Sequence, residues 1–351
     1  MPRLVPSIPT MSLGHGAAGH SLPDKLRAAA DAGFVGIEVF YACLDSFSQS
    51  QPGDSPRDKL RNAARETKRI ADSLGLEIFV LQPLLNYDGI LDEKEHEERV
   101  DEAVFRFELC HLLGCDIMQI PANFRLDAGI TGDEEKVVAD LRELADLGAQ
   151  QNPPIRFAYE PMCWSTHNYI WQHGWNIVQK VDRPNFCLVL DAFHIAGYEY
   201  ADPTVPGGVR PDGSARLAAS LSELVKIVPA SKVLYLQLVD AELLSQPLLP
   251  LGAPSPAPED LGKTVSIYHV DGQQPRMSWS RNCRLFPEET ELGAYMPIAD
   301  VFRAFLETGF EGYVSLELFC RGMNDPDPNV PKRHAERGRR SWERLQKKLE
   351  L

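Results

Sequence analysis

The chain has 351 residues, 44% of them hydrophobic and 25% charged, proportions of a folded globular protein that exclude disordered and collagen-like readings. Lys+Arg 36 against Asp+Glu 50 leave a formal charge of −14, which repels a phosphate backbone and argues against a nucleic-acid partner. No run of about 18 apolar residues supports a transmembrane helix, and the proline-broken start, Met1 to Gly16, argues against a signal peptide, so the expected compartment is cytoplasmic.

An opening apolar segment, Leu4 to Leu13, precedes Ser21-Leu-Pro-Asp24, a cap with proline just inside, and a helix that stops at Gly33. The strand Gly36–Phe40 is followed by a helix from Ser55-Pro56 to Leu74 and a strand Glu77–Leu84. Asp92 to Leu113 reads as helix with Gly114 as its stop, and feeds the strand Asp116–Pro121. Thr131-Gly-Asp-Glu134 opens a helix that runs to about Gln150, with acids in its first turn where the helix dipole favours them. Strand Ile155–Glu160, helix Trp171–Val181, strand Phe186–Asp191, helix Ala215–Val228 and strand Val233–Val239 continue the alternation. Helix Met296–Thr308, strand Tyr313–Phe319 and a basic helix Val330–Leu351 close the chain.

Near-continuous apolar strands are those buried on both faces, and alternation with helices implies parallel crossovers. Eight such units predict one (β/α)8 TIM barrel spanning 1–351. An open doubly wound sheet is the alternative, but no G-x-G-x-x-G follows the first strand. Leu244 to Pro275, rich in Pro, Leu, Ser and Gly, is an insertion after strand 7 (residues 244–277), expected to serve as a lid or a homo-oligomer contact. The seven cysteines are scattered with no C-x-x-C pair and read as reduced thiols, mostly in the core.

Barrel sites form where strands end at their C-terminal side. Four successive strands end in one oxygen-bearing side chain each: Glu160, Asp191, Gln237 and Glu317. Three carboxylates converging there would raise one another's pKa unless a cation sits between them. An all-oxygen set suits a hard or borderline divalent ion such as Mg2+, Mn2+ or Co2+; the bland alternative is four isolated solvated acids. His194, three residues beyond Asp191, is a candidate proton carrier, and His167 is a second. Ser280, Arg281 and Arg284 form a loop suited to gripping a planar carboxylate, unless the arginines pair with Glu288 or Glu289. Glu38, Gln82, Tyr87 to Gly89, Gln119 and Asn123 are further mouth-facing residues.

With these residues in place, the segments Leu81-Gln-Pro83, Tyr87-Asp-Gly89, Gln119 to Phe124, Tyr159-Glu160, Cys163-Trp-Ser165, Leu190 to Gly197, Gln237 to Glu242, Ser278 to Phe286 and Ser315 to Phe319 resemble the 3-dehydroshikimate dehydratases of quinate catabolism, in their fungal single-domain form. These belong to the xylose isomerase-like barrels. The resemblance spans nearly the whole chain, from Met11-Ser-Leu-Gly14 to the closing helix. It implies that Glu160, Asp191, Gln237 and Glu317 ligate one divalent ion, that His194 and the Ser280/Arg284 region meet the substrate, with Gln82 and Trp164 beside them, and that the reaction is loss of water from 3-dehydroshikimate to give protocatechuate. A sugar or hydroxy-acid isomerase or epimerase on the same barrel is the competing enzyme reading. A metal-dependent DNA repair endonuclease would call for more histidines and a basic groove. A barrel that only binds an aromatic acid would bind it without metal and without turnover.

Overall fold

A computed structural model describes residues 3–351. Eight parallel strands close into a barrel: β1 (Leu4–Pro9), β2 (Gly36–Phe40), β3 (Glu77–Gln82), β4 (Ile117–Pro121), β5 (Arg156–Glu160), β6 (Phe186–Asp191), β7 (Val233–Gln237) and, after the two short strands β8 (Asp240–Ala241) and β9 (Arg284–Leu285), β10 (Gly312–Ser315). Their order around the barrel is β1-β10-β7-β6-β5-β4-β3-β2, while β8 and β9 pair antiparallel outside it. The helices are α1 (Leu22–Asp31), α2 (Tyr41–Ser48), α3 (Pro56–Ser73), α4 (Glu93–Leu113), α5 (Glu134–Ala149), α6 (Trp171–Val181), α7 (Ala192–Glu199), α8 (Gly213–Ile227), α9 (Pro275–Asn282), α10 (Ile298–Glu307) and α11 (Val330–Leu349).

The expected helix starts hold where the cap chemistry is local. Ser21, Ser55 and Asp92 each accept the backbone N–H three residues on. At α5 the cap is Asp133, which accepts from Lys136 N at 3.0 Å; Thr131 instead closes the preceding turn onto Asp133 N. Three strands are shorter than the apolar runs suggest, β3 ending at Gln82, β7 at Gln237 and β10 at Ser315, because those runs continue into the loops of the mouth. The short helices α2 and α7, which begin directly at strand ends, are additions to the alternation.

Side chains alternate across each strand, and this sets the layers. The inward-facing Val80, Ile117, Ala158, Val189 and Tyr235 pack with Phe79 as an apolar plug inside the barrel. Their neighbours Leu81, Met118, Phe157, Leu188 and Leu236 face the helices. Two residues further along, the same inward row becomes Gln82, Gln119, Glu160, Asp191 and Gln237. The register pairs Asp191 with Gln237 and Gln237 with Ser315, so Glu317, two beyond Ser315, continues that row.

The basic closing helix is absorbed by acids of the 288–291 turn. Arg337 pairs with Glu289, Arg344 with Glu291 and Lys348 with Glu288. On the same helix His334 is 3% exposed, and its Nδ1 lies 2.8 Å from the Ser12 carbonyl. Burial pushes its pKa down to about 4 from 6.5, so the folded state holds it neutral while the unfolded chain binds a proton between those values. The stabilisation is therefore complete above about pH 6.5 and lost as pH falls towards 4, up to about 3 kcal/mol. His334→Gln is expected to flatten the fall of Tm between pH 7 and pH 4.5; an unchanged acid slope would remove His334 as its cause.

Candidate active site

The inward row ends in a cavity of about 350 Å3 at the C-terminal mouth, with a polar floor and aromatic or thioether walls that include Phe40, Phe124, Met162, Trp164 and Phe319. Gln82 is fixed by donating to Glu38 Oε2 at 2.8 Å and Glu317 Oε1 at 3.0 Å. Gln119 donates to Glu160 Oε2 at 2.8 Å. Gln237 spends its Nε2 on Glu317 Oε1 at 2.9 Å and on Glu38 at 3.2 Å. Its Oε1 is then buried without a partner. Asp191 caps α7 through Oδ1, which accepts Phe193 N at 2.7 Å, leaving Oδ2 for the cavity floor.

Four carboxyls, Glu38, Glu160, Asp191 and Glu317, are thus buried together, and the Arg284 guanidinium acts on the last three. Burial and the charge of Glu317 push Glu38 up to about 8, burial chiefly pushes Asp191 up to about 7 even beside Arg284, and burial with neighbouring acids pushes Glu160 well up. A set of acids that cannot all ionise together, with an orphaned amide oxygen among them, fits a divalent cation. Glu160, Asp191 and His194 offer ligand atoms all within 4.8 Å of one another.

Arg284 is 2% exposed and held on every side. Nη1 donates to Asp191 Oδ2 at 2.9 Å and Glu317 Oε2 at 2.8 Å, Nε donates to Ser280 Oγ at 3.1 Å, and Nη2 lies 3.2 Å from His194 Nε2. Arg284, expected to grip a substrate carboxylate, pairs here with the internal carboxylates of Asp191 and Glu317. Arg281, in contrast, lines the same cavity over the faces of Trp164 (5.6 Å) and Phe124 (5.9 Å), and among the described residues no acid lies within ion-pair distance. Desolvation alone acts on it, lowering its pKa. Neither arginine pairs with Glu288 or Glu289, whose partners are Lys348 and Arg337. The expected loop carrying them is the helix α9 and the strand β9.

His194 lies 3.5 Å from both Glu160 Oε1 and Asp191 Oδ2 through Nε2, with Nδ1 3.2 Å from Cys163 N. Burial and the Arg284 charge push its pKa well down, so the ring is neutral. Trp164 sets its edge against His194 and has a buried Nε1–H without a partner. His167 is not brought here: it is exposed, in a separate hollow with Gly132, Glu134 and His173. The insertion 244–277 contributes no residue to the cavity lining and packs back on the chain near Pro203. His15 and Met11 from the first strand's loop do line the cavity. His15 and His20 both follow the first strand in the sequence, where a loop role is at least as expected, and of the two only His15 lines the cavity.

A family described as xylose isomerase-like TIM barrel matches residues 26–341. The chain is 46% identical to a 3-dehydroshikimate dehydratase from Neurospora crassa over 98% of its own length and 94% of that protein. Among solved structures, a xylose isomerase-like TIM barrel/4-hydroxyphenylpyruvate dioxygenase fusion protein superposes with a TM-score of 0.70 at 26% identity, over 99% of this chain and 43% of that one. A structure of IolI protein with a bound zinc atom superposes with a TM-score of 0.67 at 17% identity, over 99% of both chains.

Proposed function

The chain belongs to the xylose isomerase-like TIM barrels and, within them, to the 3-dehydroshikimate dehydratases, and from that premise we propose how its residues divide the reaction. The protein is a lyase that removes water from 3-dehydroshikimate to give protocatechuate. The proton lost sits on a carbon beside a ketone, a hydroxyl leaves from the next carbon, and aromatisation draws the sequence forward. Glu160, Asp191, Gln237 and Glu317 would hold one divalent ion, Mg2+, Mn2+ or Co2+, which when bound supplies Lewis-acid stabilisation of the negative charge that develops on the ketone oxygen.

His194 takes the proton, its ring lying at the cavity beside Arg284 and kept neutral by burial. Arg281 binds the ring carboxylate, since it is the guanidinium without an internal anion, and Trp164 and Phe124 exclude water around it. The unpaired Trp164 Nε1–H is a donor for a substrate oxygen. Gln82 and Ser280 act one step removed, fixing Glu317 and Arg284. His167 has no part in this chemistry. The observation that carries the reading is the meeting, in one cavity, of an oxygen-rich floor with a partnerless guanidinium. A neutral sugar has no group for that cation, which sets the isomerase reading behind.

Metal-stripped protein incubated with 3-dehydroshikimate is expected to give no rise in protocatechuate absorbance until Mg2+, Mn2+ or Co2+ is added. Undiminished turnover by the stripped protein would remove the ion from the scheme. For Arg281→Ala the expected result is a KM raised about 30-fold with kcat changed far less, the pattern of a lost binding contact worth about 2 kcal/mol. A normal KM would return the carboxylate to Arg284.

A further inference from the structure

Cys283 and Cys320 face each other in an antiparallel bridge. The adjoining pair is Arg284 and Phe319, joined by a backbone bond of 3.0 Å from Arg284 N to Phe319 O. The cysteines therefore hold the non-hydrogen-bonded position, where facing Cα atoms lie about 4.5 Å apart and the side chains leave on one face. That typical separation falls within the roughly 4.4–6.8 Å between Cα atoms that a disulfide needs. Both thiols are free; Cys283 is 1% exposed and Cys320 is half-buried. Cys320 Sγ accepts the Met323 backbone N–H, and Arg337 and Arg321 stand near it. Burial is the larger influence and raises the Cys320 pKa, while those groups act in the opposite sense.

We propose that Cys283 and Cys320 form a modification site, a thiol pair that closes to a disulfide under a peroxide-class oxidant and fastens the Arg284 segment to the chain leaving the last barrel strand. In the first step the Cys320 sulfur attacks the peroxide, the O–O bond breaks, and Cys320 sulfenic acid and one water result. In the second the Cys283 sulfur attacks that sulfenic sulfur, its S–O bond breaks, and a second water leaves with the Cys283 proton. The two sulfurs are together oxidised by two electrons and the peroxide is reduced by two. Because the bridge joins positions that are already paired, it leaves Arg284 and Glu317 in place and constrains only the unfolded chain.

The test treats the full-length protein with hydrogen peroxide and reads intact mass, a map of its cysteine peptides and Tm. The expected product is lighter by two hydrogens, links the Cys283 and Cys320 peptides, melts about 5 °C higher and returns to the starting state with a thiol reductant. Cys320→Ser and Cys283→Ser are each expected to abolish the mass loss and the Tm rise while keeping turnover. Cys110 and Cys115 also touch each other, but both are buried. A bridge mapped to that pair overturns the proposal, and so does a treated protein whose Cys320 carries extra oxygen while Cys283 stays a free thiol.

Discussion

Glu160→Gln is expected to lower kcat/KM by about a thousand-fold while the protein stays folded, the scale of losing about 4 kcal/mol of charge stabilisation in the transition state. The substitution keeps the shape of the side chain and its contact with Gln119, whose Nε2 donates to Glu160 Oε2 at 2.8 Å. It removes one of four buried acids that repel one another. Two readouts therefore move in opposite directions: activity collapses, and the Tm of metal-free protein holds or rises because glutamine replaces a carboxyl whose ionisation burial and neighbouring acids oppose. A metal titration followed by calorimetry should show weakened binding. If Tm falls and activity survives, Glu160 serves the fold and the ligand assignment is wrong.

His194→Gln should cost kcat a factor of about 10²–10⁴, the range for a positioned general base, with KM much less affected. Glutamine can still accept from Arg284 Nη2 and fill the space beside Cys163, so the loss would report the missing proton acceptor. The control is His167→Gln, which should turn over normally because that residue is exposed in another hollow. A near-normal kcat for His194→Gln would pass the proton to another cavity group, of which His15 is the other imidazole in the lining.

Several parts of this protein are written locally and could be read without coordinates. Helix caps such as Ser21, Ser55 and Asp92 act over three residues, and the helix stops at Gly33 and Gly114 need the positive φ that glycine adopts without strain. The apolar strands between them announce burial on both faces. Once those strands are parallel and level, the two-residue alternation carries Glu160, Asp191, Gln237 and Glu317 to one row, so the acid floor follows from pattern alone.

What the linear order does not contain is which charges meet. Arg281 and Arg284 are three residues apart and look alike in the sequence, yet the first, in the last turn of α9, lines the cavity while the second, on β9, reaches Asp191 and Glu317. His167 and His194 each follow a strand end by a few residues. α7, capped by Asp191, turns His194 inward, while the longer loop after Glu160 carries His167 away. The insertion is read as a lid or an oligomer contact from its place in the chain, whereas its packing near Pro203 is set by the tertiary structure. The division has one cause. Caps, strands and the side-chain row depend on neighbours within a few residues, whereas ion pairing and exposure depend on Coulomb and desolvation effects between groups far apart in the chain, 93 positions for Asp191 and Arg284, whose separation only the closed barrel sets.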